Sequence, residues 1–151
     1  MSDFDSAELP SLRSWAARYV PQPDASAYLA HHLSVTNATL FAELLAPDLV
    51  LVRGCVLLRS RYVPENFDTW WSHCEGVAAS IEASINRLHL WDLFEPSDDV
   101  ERRALDAIAN RLARSWLAHA NLAFPDRKFV TAVTDEYGPT VVLHSDVPEL
   151  R

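Results

Sequence analysis

The sequence predicts an α+β fold, namely a helix-rich single domain with a small antiparallel sheet from two hairpins, in the order α-α-β-β-α-α-α-β-β. One observation is a switch in period. Apolar residues recur at helical spacing from Val77 to Ala120, whereas Lys128 to Ser145 alternates and is rich in β-branched residues. The other is size: 151 residues, of which 49% are hydrophobic, can bury one substantial core.

We expect residues 1–10 to form a flexible N-terminal segment, because they are polar and acidic, and residues 11–151 to form the domain. A first helix is predicted from Ser11 to Val20, where Pro21 ends it, since a residue that precedes proline is disfavoured in the α conformation.

A second helix is predicted from Ala25 to Ala46, with Asp24 as its N-cap and Pro47 after its end. Residues 34–37 are poor helix formers. A break there, with Asn37 capping a separate helix, is therefore the alternative.

Two apolar runs, residues 49–52 and 55–58, predict the first hairpin, because Arg53-Gly54 between them has the length and composition of a tight turn. Both runs are apolar on both faces, so we expect the strands to be covered on each side. One long strand with a bulge at Gly54 is the alternative.

Three helices are predicted next: Pro64 to Cys74, Val77 to Leu90, and a long one from a Ser97 cap to Asn121. The long helix carries an apolar stripe that includes Leu112 and Trp116, which we expect to be buried against the sheet.

The last hairpin is predicted from residues 128–134 and 140–145, joined by a turn that contains Gly138.

Charge argues against nucleic acid as a partner. The chain has 21 acidic and 13 basic residues, a net charge of −8, and its arginines form no stripe that could follow a phosphate backbone. Lys128 is the only lysine, a usage typical of a GC-rich bacterial genome. Acidic proteins are well suited to basic partners.

Location and redox state are also indicated. The sequence has no signal peptide and no apolar run long enough to span a membrane, so we expect a cytoplasmic protein that does not bind membranes. Cys55 and Cys74 are the only cysteines, and we expect both to be buried free thiols.

The familiar cofactor motifs are absent. Glycine-rich phosphate loops, the Gly-x-Ser-x-Gly nucleophile turn, His-Glu-x-x-His and paired cysteine motifs do not occur. We therefore expect no cofactor and no metal, and no motif set identifies a family.

The strongest candidate for chemistry is a polar trio, Glu82, Asn86 and His89. On a continuous helix these residues fall within about 60° of one another, beside an apolar stripe. A carboxylate next to an imidazole can support acid–base catalysis or hold a ligand. The alternative, which we favour, is a structural brace in which Glu82 and Asn86 bind backbone groups of a neighbouring loop and His89 lies at the rim.

Trp70 and Trp71 are the candidates for partner contact. Adjacent residues of a helix point in different directions, so we expect one of the two indoles to be exposed, and tryptophan is enriched at interface hot spots.

Two functions follow from these features. The favoured hypothesis is protein–protein binding, for example as an inhibitor or immunity-type partner of a basic protein, with homo-oligomer formation as a further form of association. The alternative is a small enzyme or ligand-binding domain that uses Glu82, Asn86 and His89. The sequence favours a protein that is not an enzyme.

Overall fold

The chain folds into helices and two antiparallel sheets, and a computed structural model describes residues 4–146 of it. The predicted α+β class is confirmed, with 55% helix and 17% strand. The α-helices are α1 (Pro10–Ala16), α2 (Ala25–His32), α3 (Val35–Leu45), α4 (Pro64–His73), α5 (Ala78–Ile85) and α6 (Asp99–Ala123). The strands are β1 (Leu49–Val52), β2 (Cys55–Leu58), β3 (Arg87–His89), β4 (Phe129–Asp135) and β5 (Pro139–Ser145).

The N-terminal segment predicted as residues 1–10 is described from residue 4. Ser6–Glu8 form a turn of 3-10 helix, and Glu8 makes a 2.7 Å ion pair with Arg103 of α6. The first helix is shorter than predicted, since α1 ends at Ala16.

The predicted helix over residues 25–46 is two helices. The alternative of a break is correct, but the cap is Ser34, whose hydroxyl accepts from the Asn37 backbone N–H at 3.0 Å. A serine before a helix satisfies one of the four N–H groups that have no partner inside it, and this explains where α3 begins.

The first hairpin is confirmed. β1 and β2 pair in antiparallel register from Val52–Cys55 outward, and both turn residues have positive φ, 49° at Arg53 and 86° at Gly54. That geometry matches the right-handed twist of the strands. β2 is buried throughout, but β1 is not covered on both sides, because Leu51 is 52% exposed.

The second hairpin is also confirmed, and it belongs to a three-stranded sheet of order β3-β5-β4. The prediction of one sheet from both hairpins is wrong, because the first hairpin forms a sheet of its own. The third strand, β3, was not predicted. Its residues were assigned to the end of a helix from Val77 to Leu90, but α5 ends at Ile85.

The long helix α6 carries the main core. It begins one residue later than predicted, with Asp98 as its cap, and it ends at Ala123. Leu112 and Trp116 are buried against the β3-β5-β4 sheet together with Leu88 and Val141, as predicted. A second core, formed by Cys55, Leu57, Phe67 and Ile81, lies between β2 and the helices α4 and α5.

Both cysteines are free; Cys55 is buried and Cys74 is half-buried. No helix among the described residues has the length and apolarity needed to cross a membrane.

Candidate partner-binding site

Glu82 lies on α5 and is 0% exposed. Its Oε1 accepts from the Val56 backbone N–H at 2.7 Å and from the Ser145 hydroxyl at 3.0 Å. Its Oε2 accepts from the Ser145 backbone N–H at 2.6 Å. The carboxylate therefore uses both oxygens to bind groups of two strands, one in each sheet.

Asn86, the C-cap of α5, is also 0% exposed and completes the same connection. Its Oδ1 accepts from the Leu58 N–H at 2.8 Å, and its Nδ2 donates to the carbonyls of Val56 and Leu143 at 2.8 and 3.2 Å. Its own carbonyl accepts from the Leu143 N–H at 3.1 Å.

Together the two side chains occupy the space between the inner edges of β2 and β5, where a further strand would otherwise pair. The first sheet is therefore attached to the second through side chains rather than through a backbone ladder. The groups they bind belong to strands, not to a loop. Because neither Glu82 nor Asn86 is open to solvent, a ligand has no access to them in this structure.

His89 is separated from this pair, because it lies on β3 rather than on a helix. Its Nδ1 is 2.8 Å from the Thr140 hydroxyl, and that hydroxyl lies 3.1 Å from the Gly138 carbonyl. A hydroxyl has one proton, and the carbonyl can only accept it. With its own proton on that carbonyl, the Thr140 hydroxyl accepts from Nδ1–H, and Nε2 lies on the other side of the ring.

The two tryptophans proposed as partner contacts differ in exposure. Trp70 is 37% exposed and contacts His73 edge-to-face, whereas Trp71 is half-buried. The Arg53 guanidinium carbon lies 3.8 Å from the centre of the Trp71 ring. One of the pair is thus exposed, as predicted, while Arg53 already covers the other.

A more prominent aromatic surface lies at the far end of the second hairpin. Trp91 is 44% exposed and Tyr137 is 55% exposed. Their rings pack edge-to-face with 5.5 Å between the ring centres, and the rings of Tyr137 and His89 pack in the same way with 5.8 Å between centres. We call Trp91, Tyr137 and His89 the aromatic patch.

Gly138 holds the patch in place. It has a φ of +64°, which glycine adopts without strain, and a Cβ there would lie 2.5 Å from Cδ2 and Cε2 of Trp91. The Trp91 indole therefore packs directly on the backbone of the turn. The turn backbone therefore supports one face of the indole.

Acidic residues flank two members of the patch in the sequence. The segments that carry Trp91 and Tyr137, residues 91–95 and 135–138, contain Asp92, Glu95, Asp135 and Glu136 and no basic residue. Arg87 forms an ion pair with Glu136, and the other three carboxylates have no ion pair among residues 4–146. These two segments therefore carry a net negative charge.

A cavity of about 290 Å³ opens beside Trp91, between the hairpin and α6. Asp106 and Asp135 line it, together with Arg102, whose Nη1 binds Asp99 at 2.7 Å. Because Asp99 pairs with that guanidinium, the two lining carboxylates leave a negative balance, which favours a cation.

Trp91 and Phe94 are not among the residues predicted to contact a partner, because large aromatic residues are usually found in the core. Both are at the surface. One signal was available in the sequence, since Trp91 and Phe94 lie in a short segment with Asp92 and Glu95, and buried segments seldom carry two charges.

No group of three or more metal-ligating side chains occurs in the part of the chain that the structure describes. Comparison with known proteins gives no match to a family model, to a curated protein or to a solved structure.

Proposed function

We propose that this protein binds a basic segment of another protein through the aromatic patch. The observation that carries the proposal is the exposed Trp91–Tyr137 pair, held on Gly138 and flanked in the sequence by four carboxylates, of which three have no ion pair among residues 4–146. Tryptophan and tyrosine are the residue types most enriched at binding hot spots, because they offer a large contact area and lose little conformational entropy.

The charge of the patch favours arginine or lysine as the group that is recognised. A guanidinium over the face of an indole gains cation–π attraction, and nearby carboxylates add Coulombic attraction and charge-assisted hydrogen bonds. The cavity beside Trp91 has room for one such side chain, with Asp106 and Asp135 at its walls. An inhibitor or immunity-type partner of a basic protein would act in this way.

The alternative function, a small enzyme or ligand-binding domain, was built on Glu82, Asn86 and His89. It has less support, because Glu82 and Asn86 are buried and hydrogen-bonded to backbone groups. His89 has no hydrogen-bond partner at Nε2 among residues 4–146, but it belongs to the aromatic patch and fits a role as a polar contact for the partner as well.

The test uses a short acetylated and amidated peptide of alternating glycine and arginine as the probe, with the same peptide carrying glutamate in place of arginine as its control. We expect the arginine peptide to cause saturable shifts of the Trp91 indole and Gly138 amide signals in two-dimensional NMR spectra. The glutamate peptide should cause none. Added salt should weaken binding, since charges at the surface are screened.

Two tryptophan variants give the matched comparison. Trp91→Ala should weaken binding of the arginine peptide at least about fivefold, the equivalent of a cation–π contact of about 1 kcal/mol. Trp70→Ala removes an indole of similar exposure from α4 and should leave the affinity unchanged. Equal losses in both variants, or no binding by the wild type, would overturn the proposal.

A further inference from the structure

The strand β4 is an edge of the three-stranded sheet, and the hydrogen bonds of β5 show which of its groups face outward. The N–H groups of Leu143 and Ser145 point away from β4, toward Asn86 and Glu82. Residues of β5 with even numbers must then bond to β4, because N–H direction alternates along a strand. In the observed register, these residues pair with Val130, Ala132 and Thr134.

The remaining residues of β4 present their backbone to the open side. They are Phe129, Thr131, Val133 and Asp135, which together expose four N–H and four C=O groups. Among residues 4–146, none of these groups has a bonding partner. An edge of this kind pairs readily with another strand. β1 is also an edge, but it has only four residues in all.

We propose that a second copy of this chain pairs with this edge, β4 against β4 in antiparallel orientation, to form a symmetric dimer with a continuous six-stranded sheet. Ala132 is the central residue of β4 and would lie on the two-fold axis. In that register Thr131 pairs with Val133 of the second copy and Phe129 pairs with Asp135. All four outward residues of each chain are then used, which gives about eight hydrogen bonds.

The side chains fit this register with their own copies. Lys128, which precedes the strand, comes opposite Glu136 of the second copy, a residue that also pairs with Arg87 of its own chain, so opposite charges meet at both ends. At the axis the two copies of Ala132 form a non-hydrogen-bonded pair, in which Cα atoms approach to about 4.5 Å and small side chains are accommodated. Val130, an exposed apolar residue, comes opposite Thr134.

This self-complementarity favours a second copy over a strand of a different protein. A two-fold axis through Ala132 places every outward C=O of β4 opposite an outward N–H of the second copy, and Lys128 opposite Glu136. The pairing therefore needs no sequence other than this one. The inference rests on the strand edge rather than on the aromatic rings, and it shares Asp135 and Glu136 with the surface beside them.

Cross-linking tests the register. Ala132→Cys, in a Cys74→Ser background, should form a covalent dimer under mild oxidation, because the two sulfur-bearing residues face each other within the range for a disulfide. Thr134→Cys is the matched control. In the proposed register the two copies of residue 134 lie four residues apart along the strands, so it should not cross-link. Equal cross-linking of both variants, or of neither, would overturn the proposal.

Sedimentation tests the association itself. We expect the wild type to be a dimer at about 200 µM and to dissociate on dilution. Thr131→Pro removes only an outward N–H, a change that edge strands tolerate, and it should raise the dimer dissociation constant at least about tenfold. Ala132→Lys is the second variant, for use if Thr131→Pro perturbs the fold. It places two ammonium groups at the two-fold axis and should also raise the dimer dissociation constant at least about tenfold. A wild type that remains monomeric at that concentration would exclude the dimer and leave the edge to a strand of another protein.

Discussion

The Glu82 carboxylate accepts a hydrogen bond from the backbone N–H of Val56 at 2.7 Å, across 26 residues of sequence. The same carboxylate accepts from the N–H of Ser145 in the other sheet at 2.6 Å. A buried carboxylate is costly unless donors replace the water that it loses, and here three groups do so. This one side chain therefore links the two sheets directly, beside the connection that Asn86 makes.

Glu82→Ala should lower the free energy of unfolding by about 2–5 kcal/mol, because it leaves two buried N–H groups without an acceptor, each at a cost of about 1–3 kcal/mol. Urea denaturation measures the loss. Hydrogen exchange should locate it, with faster exchange at Val56 and Ser145 than elsewhere in their strands. Glu95→Ala, at an exposed glutamate, is the control and should change stability by less than about 0.5 kcal/mol. An equally small change for Glu82→Ala would mean that the carboxylate is not a structural link.

Asn86→Asp tests the hydrogen bonds that the Asn86 amide donates between the two sheets. The substitution keeps the size and the acceptor that Leu58 uses, but removes the amide that donates to Val56 and Leu143. It also brings a second carboxyl group close to Glu82. We expect a loss of about 2–4 kcal/mol at pH 7, because two carbonyls lose their donor. The loss should shrink as the pH is lowered from 7, because the introduced carboxyl group can donate again once it is protonated; a loss independent of pH would contradict this.

Burial raises the pKa of the Cys55 thiol from 9.0 to about 11, and the nearby Glu82 charge adds to the increase, while Arg127 and Arg53 oppose it. Because the folded pKa lies above the unfolded one, the contribution to stability is complete below pH 9 and is lost as the pH rises toward 11. Urea denaturation at a series of pH values measures this loss, up to about 3 kcal/mol. Cys55→Ala should flatten the profile in this window, whereas Cys74→Ala should not. A profile unchanged by Cys55→Ala would show that the thiol does not titrate in this way.

The hairpins and the long helix could be predicted from the sequence because local signals agree there. In each of these segments the local pattern agrees with the structure that the segment adopts. The examples are the Arg53-Gly54 turn, the alternating strands of the second hairpin and the helical stripe through Leu112 and Trp116. The end of α5 could not be predicted. Residues 86–89 continue the helical spacing of α5. In the structure, however, Arg87–His89 form a strand that pairs with β5. Asn86, at the end of the helix, directs its side chain to the backbone of β2 and β5. Tertiary pairing therefore outweighed local spacing.

The proposed site depends on a contact that no sequence pattern shows. Trp91 and Gly138 are far apart in the chain, and only the fold brings the indole onto the turn backbone. Without that contact, an aromatic residue beside Leu90 is best interpreted as core. The acidic neighbours of Trp91 are visible in the sequence, but their meaning depends on whether the ring is exposed.

Trp116→Ala should cost about 3–5 kcal/mol, the usual range for removing a buried large aromatic side chain. The ring is 1% exposed, and its Nε1–H donates to the Leu44 carbonyl at 2.7 Å, so the indole also holds α3 against α6. Trp116→Phe keeps most of the packing but loses that donor, and we expect about 1–2 kcal/mol. Denaturation curves of the two variants separate packing from hydrogen bonding. A loss below about 1 kcal/mol for the alanine variant would show that the core is not formed as described.

Gly138→Ala tests how the aromatic patch is held, and Gly54→Ala is its matched control. Both positions have positive φ, +64° and +86°, so alanine at either adds backbone strain of about 1–2 kcal/mol. They differ in space, because nothing lies within 4 Å of a Cβ at 54, whereas a Cβ at 138 would lie 2.5 Å from the Trp91 ring.

Gly54→Ala should therefore lower stability while leaving the Trp91 signals in NMR spectra and the affinity for the arginine peptide unchanged. Gly138→Ala should lower stability by a similar amount or more, and we expect it to displace the indole as well, because a Cβ fixed to the turn would overlap the ring. We expect shifted Trp91 and Tyr137 signals and peptide binding weakened about as much as by Trp91→Ala. Unchanged binding in Gly138→Ala, with the indole signal displaced, would show that the patch does not need its support on the turn; an undisplaced indole would contradict the packing of Trp91 on Gly138.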